Sequence, residues 1–333
     1  MMLVVANMNL APGHATEYYS SGRLNPHTCR NTTTMAGTLI RRIGIVLGVI
    51  LGLIVLGLGA LYFLSSRALN KTYAVTPAPL AIPSDSTSIE RGRHLVTGRL
   101  VCADCHGEDL AGRVVIDGMP FGRFVASNLT PGGVGGSYTD ADWVRAIRHG
   151  IRPNGKSLLF MPSDVFAHLG SEDLAAVIAY LKTVPAVTRV LPPTELGPIG
   201  RMLVATNKAP LVMARQIDHQ APVPTMPPEG ETVEYGHYLV TSGGCFVCHG
   251  KNLSGGKFAG GPDDPPAANL TPTGIGTWTE ADFFRAFREG KRANGTPINE
   301  FMPWKFMGRM TDRELRAIHL YLKTVPARPY GQG

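Results

Sequence analysis

Between residues 88 and 326 the chain is written twice. ERGRHLVTGRLVCADCHG (90–107) returns as EYGHYLVTSGGCFVCHG (234–250), and SNLTP (127–131) returns as ANLTP (268–272). YTDADWVRAIRHG (138–150) returns as WTEADFFRAFREG (278–290), and AYLKTVP (179–185) as LYLKTVP (320–326). Segments that keep their order at offsets of 140 to 144 residues mean two copies of one domain, at about 88–184 and 231–326. Whatever fold this is, fewer than about 100 residues must close it, which is near the lower end of ordinary domain size.

Each copy reads as mostly helical. Spaced apolar residues from 88 to about 101 lead into the first cysteine pair. Thr139 and Asp140 cap a segment that places Trp143, Val144 and Ile147 on one face and ends at Gly150. SEDLAAVIAYLKTV (171–184) begins with acids and ends at a lysine and a proline, and its counterpart starts at Thr311 with Glu314 at the reciprocal capping position. The 39 glycines and 26 prolines demand much turn and loop, and the segments 107–137 and 250–277 are expected to be loops over the edge of a site. Residues 185–230 hold nine prolines and read as an extended connector, in which 200–216 is expected to form a short helix packed between the copies.

The phrase CxxCH, at Cys102, Cys105, His106 and again at Cys245, Cys248, His249, is the attachment pattern of a c-type haem. Two thiols on one helical turn reach the two vinyl groups of a macrocycle, and the adjacent imidazole reaches its iron. A redox dithiol has no need of the histidine. A structural zinc site wants four ligands, and here each pair lies in its own complete copy. Two haems, and two irons, are therefore expected. For the sixth iron position, only one methionine context recurs: Phe-Met-Pro, giving Met161 at 55 residues after His106 and Met302 at 53 after His249. Met119 has no partner in the second copy, and Met307 and Met310 have none in the first. His149 faces Glu289 in the alignment of copies and His168 faces nothing clear, so both read as surface or loop histidines. Asn128 and Asn269 either fix the NLTP turn or donate at a haem edge. Trp143, Tyr138 and Tyr180, opposite Phe283, Trp278 and Tyr321, read as wall and core.

From Ile43 to Leu64 run 22 residues without a charge or a proline. As a helix this spans roughly 33 Å, enough for a bilayer core of about 30 Å. It is longer than the apolar region of a signal peptide. We therefore expect an uncleaved anchor at 39–65, after a cytoplasmic or partly disordered segment at 1–38 in which translation begins at Met1 or Met35, and before a stalk at 66–87. Cys29, in that first segment, reads as an incidental free thiol. Arg41 and Arg42 precede the run, which by the positive-inside tendency puts the rest of the chain on the outer side of the membrane. The glycines at 48, 52, 57 and 59 would let another helix approach. The formal charge is +7, but four of the 32 basic and one of the 25 acidic residues precede residue 65, which leaves +4 on the remainder. Without a basic cluster interleaved with aromatics, no nucleic-acid partner is expected. Residues 327–333 form a short tail.

On CADCHG, SNLTPGGVG, YTDADWVRAIRHG, FMP and the YLKTVP helix, and on their second copies, the chain resembles the cytochrome c superfamily. More narrowly it is similar to the cytochrome subunits of bacterial membrane-bound alcohol, gluconate and sugar dehydrogenases. The resemblance covers most of 88–326 and implies a mainly α fold of two tandem cytochrome c domains behind an N-terminal transmembrane helix. It implies His106 with Met161 and His249 with Met302 as axial pairs. Such subunits commonly carry three haem domains and a C-terminal anchor, whereas two copies and an N-terminal apolar run are seen here. The expectation is a dihaem cytochrome c anchored in a bacterial cytoplasmic membrane, passing single electrons on its periplasmic side as a respiratory-chain component. Its redox partners would be a membrane dehydrogenase, a bc-type complex, a terminal oxidase or a reaction centre. The alternatives are the electron-accepting subunit of a membrane-bound dehydrogenase and, further off, a dihaem peroxidase. No independent catalysis is expected, since two fully ligated irons leave no position for a substrate.

Overall fold

A computed structural model describes residues 32–257 and 264–332. Residues 1–31, with Cys29 and most of the expected N-terminal segment, lie outside the described residues. The chain divides into two units, one up to Leu58 and one from Gly59 onward. The apolar run forms α1 (Thr32–Asn70), in which an 18-residue window within Gly37–Asn70 has a mean hydropathy of 2.7. From Gly37 to Ala60 every side chain is exposed. An apolar helix without protein cover finds its burial in lipid, where its own ladder satisfies the backbone. It is the protein's N-terminal membrane-spanning helix. Ser65 and Ala68, in its last turns, are buried. The chain then runs alongside the first copy: Tyr73 donates its backbone N–H to Gly155 (2.9 Å), and Lys156 donates to the side chain of Asn70 (2.8 Å).

The first copy contains α2 (Ser86–His94), a π-helical turn (Leu95–Arg99), α3 (Cys102–His106), strands β1 (Arg113–Gly118) and β2 (Gly122–Ala126), α4 (Asp140–His149), α5 (Ser163–Phe166) and α6 (Ser171–Leu181). The connector supplies β3 (Glu195–Leu196) and α7 (Pro198–Thr206). The second copy contains α8 (Val233–Ser242), α9 (Cys245–His249), α10 (Pro272–Ile275), α11 (Glu280–Arg288), α12 (Trp304–Met307) and α13 (Asp312–Thr324).

The helices start where the sequence caps them. Thr139, Thr279 and Thr311 each accept from the third residue of their helix, and Asp142, Asp282 and Glu314 reach back to the cap. In each copy the first and last long helices cross at a glycine. A Cβ on Gly92 would stand 1.9 Å from the carbonyl oxygen of Ala176, and one on Gly236 would stand 2.0 Å from that of Ala317. Around the first crossing pack Leu95, Val96, Trp143, Leu174 and Ile178. Around the second pack Tyr235, Leu239, Phe283, Leu315 and Ile318.

Two expectations fail. The segment expected to be loop at 107–137 holds an antiparallel hairpin, β1 with β2, and β3 of the connector joins its other edge at Gly122–Leu196 and Arg123–Glu195. The β-branched Val114, Val115 and Ile116 favour extended backbone, and a register shift between Val114 and Ile116 breaks the alternation that would have shown it. The connector helix α7 does form, but not between the copies. Its Val204, with Leu211 and Val212, packs on Phe124 of β2 and Ala68 at the foot of α1, a third small core.

The copies are joined through a buried carboxylate. Asp173, at the start of α6 and fully buried, accepts from Arg99 (2.6 Å), from Arg91 Nε (2.7 Å) and from the hydroxyl of Tyr238 in the second copy (2.6 Å). His94 meets Glu314 at 2.8 Å, and Phe246 and Phe306 of the second copy pack against the first core.

Candidate functional site

Each CxxCH forms one short helix entered through a left-handed residue, Val101 (φ 52°) before α3 and Gly244 (φ 71°) before α9. Each is left through a glycine at positive φ, Gly107 and Gly250. The chain then folds back identically in the two copies. Leu110 donates to Gly107 and Leu253 to Gly250, at 2.9 and 2.8 Å, and the leucine carbonyls accept from Leu129 and Leu270, both at 2.8 Å. That return brings the NLTP segment under the histidine. His106 Nδ1 lies 2.7 Å from the carbonyl oxygen of Ser127, and His249 Nδ1 lies 2.7 Å from that of Ala268. A carbonyl only accepts, so Nδ1 carries the proton and Nε2 keeps its lone pair. Burial pushes both imidazoles below the ordinary histidine value, against the smaller opposing effect of those bonds. They are neutral imidazoles whose Nε2 is left to coordinate, held by the kind of outer partner that orients metal-binding histidines.

Both motifs open onto a cavity. The first, about 250 Å3, is lined by Cys102, Cys105 and His106 on one side and by Met161 in the loop before α5. The second, about 940 Å3, is lined by Cys245, Cys248, His249 and by Met302. The walls are otherwise largely apolar, with Trp143, Ile147 and Phe166 in the first and Leu239, Ile275 and Phe283 in the second. Burial, and secondarily the neighbouring thiol, pushes Cys102 and Cys245 up to about 12. Such protonated thiols are poor nucleophiles for dithiol exchange. Among the described residues no three His, Cys, Asp or Glu side chains converge as a metal-ion site. Two neutral thiols, a neutral imidazole and a thioether around an apolar slot do fit a covalently attached haem, which when bound supplies a one-electron iron centre.

The other candidates separate. Met119 is 76% exposed and lines neither cavity. Met307 and Met310 line the second cavity together with Met302, so placement there admits three thioethers where the first cavity admits one. Asn128 and Asn269 perform turn duty: their carboxamide oxygens accept from Thr130 and Thr271, and their amides donate to the carbonyls of Val187 and Arg328. Asn269 also lines its cavity. His149 is half-buried and lies 3.2 Å from His219, Nδ1 to Nδ1, whereas His168 is exposed in the turn after α5, edge-on to Phe246 at 6.4 Å, so His168 is the surface histidine expected and His149 is an inner contact. Trp143, Tyr138, Phe283 and Trp278 are cavity wall.

Three features escaped the sequence reading. Arg152 and Arg292 each line a cavity from a matching turn, closed by the glycine N–H of R-P-N-G and R-A-N-G onto the arginine carbonyl at 2.9 and 2.8 Å. The repeated R-x-N-G was the available signal. The connector holds the methionine loop of the first copy: Phe160 donates to Leu211 (3.0 Å) and Met213 to Leu158 (3.2 Å). Finally, Val101 and Pro303 line both cavities, so the two sites share a wall drawn from both copies. Only the fold brings those two residues together.

Comparison with known proteins agrees with this geometry. Residues 87–181 match the family model described as "Cytochrome C oxidase, cbb3-type, subunit III", and residues 233–326 match "Cytochrome c". The "Alcohol dehydrogenase (quinone), cytochrome c subunit" of Gluconacetobacter polyoxogenes is 30% identical over 282 residues, covering 75% of this chain and 58% of that protein. The "Fructose dehydrogenase cytochrome subunit" of Gluconobacter japonicus is 31% identical over 283 residues, covering 76% and 55%. This chain thus spans a little over half the length of those relatives. The "Diheme cytochrome c-type" protein of Cereibacter sphaeroides is 30% identical over 254 residues, covering 68% of this chain and 82% of that one. The chain resembles the cytochrome c subunits of bacterial membrane-bound dehydrogenases, and it belongs to the c-type cytochromes.

Proposed function

We propose that the chain is the dihaem, electron-accepting cytochrome c subunit of a membrane-bound dehydrogenase, with one haem c in each copy (88–184 and 231–326). In this reading Cys102 and Cys105 carry the first haem between His106 and Met161. Cys245 and Cys248 carry the second between His249 and Met302, the methionine in the repeated Phe-Met-Pro. The observation that carries the reading is the pair of cavities sharing Val101 and Pro303, each with a neutral histidine and a thioether among its walls. Two one-electron carriers in adjoining cavities would suit a relay that takes electrons from one protein and hands them on. The kinship with subunits of alcohol and fructose dehydrogenases favours this over a free-standing respiratory carrier serving a bc-type complex, a terminal oxidase or a reaction centre. A peroxidase needs an iron with an open or exchangeable position, and a methionine in both cavities speaks against it.

In this reading the haem domains face the periplasmic side of the bacterial cytoplasmic membrane behind a single pass, which Arg41 and Arg42 before the membrane-spanning segment favour. Purification from the native membrane in mild detergent tests the whole reading. The expected result is two haem c per chain and a stoichiometric dehydrogenase. Recovery of the chain alone, with its haems reduced at unchanged rate when every membrane dehydrogenase has been removed, refutes the subunit assignment.

A further inference from the structure

The first copy carries one residue more than the second between its helix and its CxxCH: TGRLVC (97–102) stands against TSGGC (241–245). The fold absorbs the extra residue as the π-helical turn Leu95–Arg99, a feature that often marks functional positions. What the turn delivers is Arg99. Its side chain is about 1% exposed, its Nη2 donates to Asp173 (2.6 Å) and its guanidinium lies over the Tyr238 ring at 5.3 Å. Burial works against its charge, but the Asp173 carboxylate outweighs that and holds its pKa above the ordinary arginine value.

The remaining nitrogens, Nε and Nη1, are buried with no hydrogen-bond partner among the described residues. Buried N–H groups of a cation are rarely left so, and the exceptions point to a missing ion, water or ligand. Arg99 belongs to the first copy but lines the cavity of the second. Arg148, the other buried arginine near Tyr238, has an unpaired Nε yet lines neither cavity.

Resting on the proposal that the second copy holds a haem c, we infer that Arg99 is a cross-copy positioning residue that donates through Nε or Nη1 to a carboxylate of the macrocycle in the second cavity. Those two nitrogens lie on different edges of the guanidinium, so each makes a single hydrogen bond rather than a fork. A fixed positive charge there favours the reduced, less positive iron, and links the second site to Asp173 on α6 of the first copy.

The test is a spectroelectrochemical titration of the intact, haem-loaded chain carrying Arg99→Gln, Arg99→Lys or Arg148→Gln, after haem counting. Arg99→Gln is expected to weaken reduction of one haem about tenfold, about 59 mV for one electron, and to leave the other unmoved. Arg99→Lys should restore most of the shift, and Arg148→Gln should move neither haem. Two haems whose potentials ignore Arg99→Gln overturn the inference and leave the dihaem reading standing. One haem per chain, at Cys102 and Cys105, overturns both. Should Arg99→Gln fail to fold, a crystal structure of the wild-type holoprotein decides: a haem carboxylate oxygen in hydrogen-bond reach of Nε or Nη1 supports the inference, and water alone there refutes it.

Discussion

Replacing Gly92 by alanine should destabilise the first copy. At an exposed helical position the change is favourable by about 1 kcal/mol, because glycine costs that much in a helix. Here the added methyl would lie 1.9 Å from the Ala176 carbonyl oxygen, 2.6 Å from its carbon and 2.8 Å from Tyr180 Cβ. The first two are backbone atoms of α6, so no rotamer change relieves them. The axes of α2 and α6 would have to part by more than about 1 Å, opening a gap along Leu95, Val96, Ala176 and Ile178. Overpacking of this kind costs about 1–3 kcal/mol, and loosened contacts along the crossing add to it. We expect a net loss of about 2–4 kcal/mol, read as an earlier chemical-denaturation midpoint and reduced haem loading in the first copy. Gly236→Ala, facing Ala317 at 2.0 Å, should do the same to the second. A Gly92→Ala protein as stable as the wild type or more so, with both haems loaded, would refute the close crossing.

Met161→Ala should abolish thioether ligation in one haem, seen as loss of the sulfur-to-iron charge-transfer band of that haem and a lower potential. Met302→Ala should do so in the other, whereas Met310→Ala, a change at a side chain only 3% exposed, should cost about 2–5 kcal/mol of stability with the band retained. Loss of the band in Met310→Ala and not in Met302→Ala would reassign the ligand. Asp173→Asn leaves Arg99 and Arg91 buried or half-buried without their shared anion, and should cost about 3–5 kcal/mol. Its carboxyl is held below the ordinary range by those arginines against burial, so its contribution is complete above about pH 4, the unfolded value, and fades as pH falls through the lower folded one. Acid titration of the wild type against Asp173→Asn measures it. His149 goes the other way in charge: burial, then His219, Arg148 and Arg145, lower it to about 4. The unfolded chain then takes up a proton near 6.5 that the folded chain refuses, so stability should decline from pH 6.5 to 4 and level off below, by about 1–2 kcal/mol once solvent screening of a half-buried group is allowed for. A His149→Phe variant should lose that slope.

The repeat made most of the helices legible, because caps and apolar spacing are local and occur twice, whereas the crossings at Gly92 and Gly236 emerged only in the fold. Thr139, Thr279 and Thr311 announced their helices, and CxxCH announced a turn that must present two thiols and an imidazole together. The hairpin was hidden by a register shift that interrupts its alternation. The loop above Met161 was hidden for another reason: Leu211 and Met213, which hold it, are 50 or more residues away in a proline-rich segment with no periodicity. Val101 shows a third limit. The second copy writes glycine at that left-handed turn, and the first tolerates a β-branched residue at φ 52°, so the backbone demand is visible in one copy and disguised in the other.

The same difference between copies explains how they are joined. Two independent domains on a string would each wall their own cavity, and the linker alone would set the distance between them. Here the cavity of the first copy is completed by Pro303, and that of the second by Val101 and Arg99. Arg99 and Val101 lie in the segment that carries the extra residue, so the insertion that spoils the exact repeat is also what brings the first copy into the second site. Separation would uncover the Asp173 cluster and both cavity walls at once, a cost that side-chain rotation cannot avoid. The buried carboxylate, shared by two arginines of one copy and a tyrosine of the other, holds the two cavities side by side.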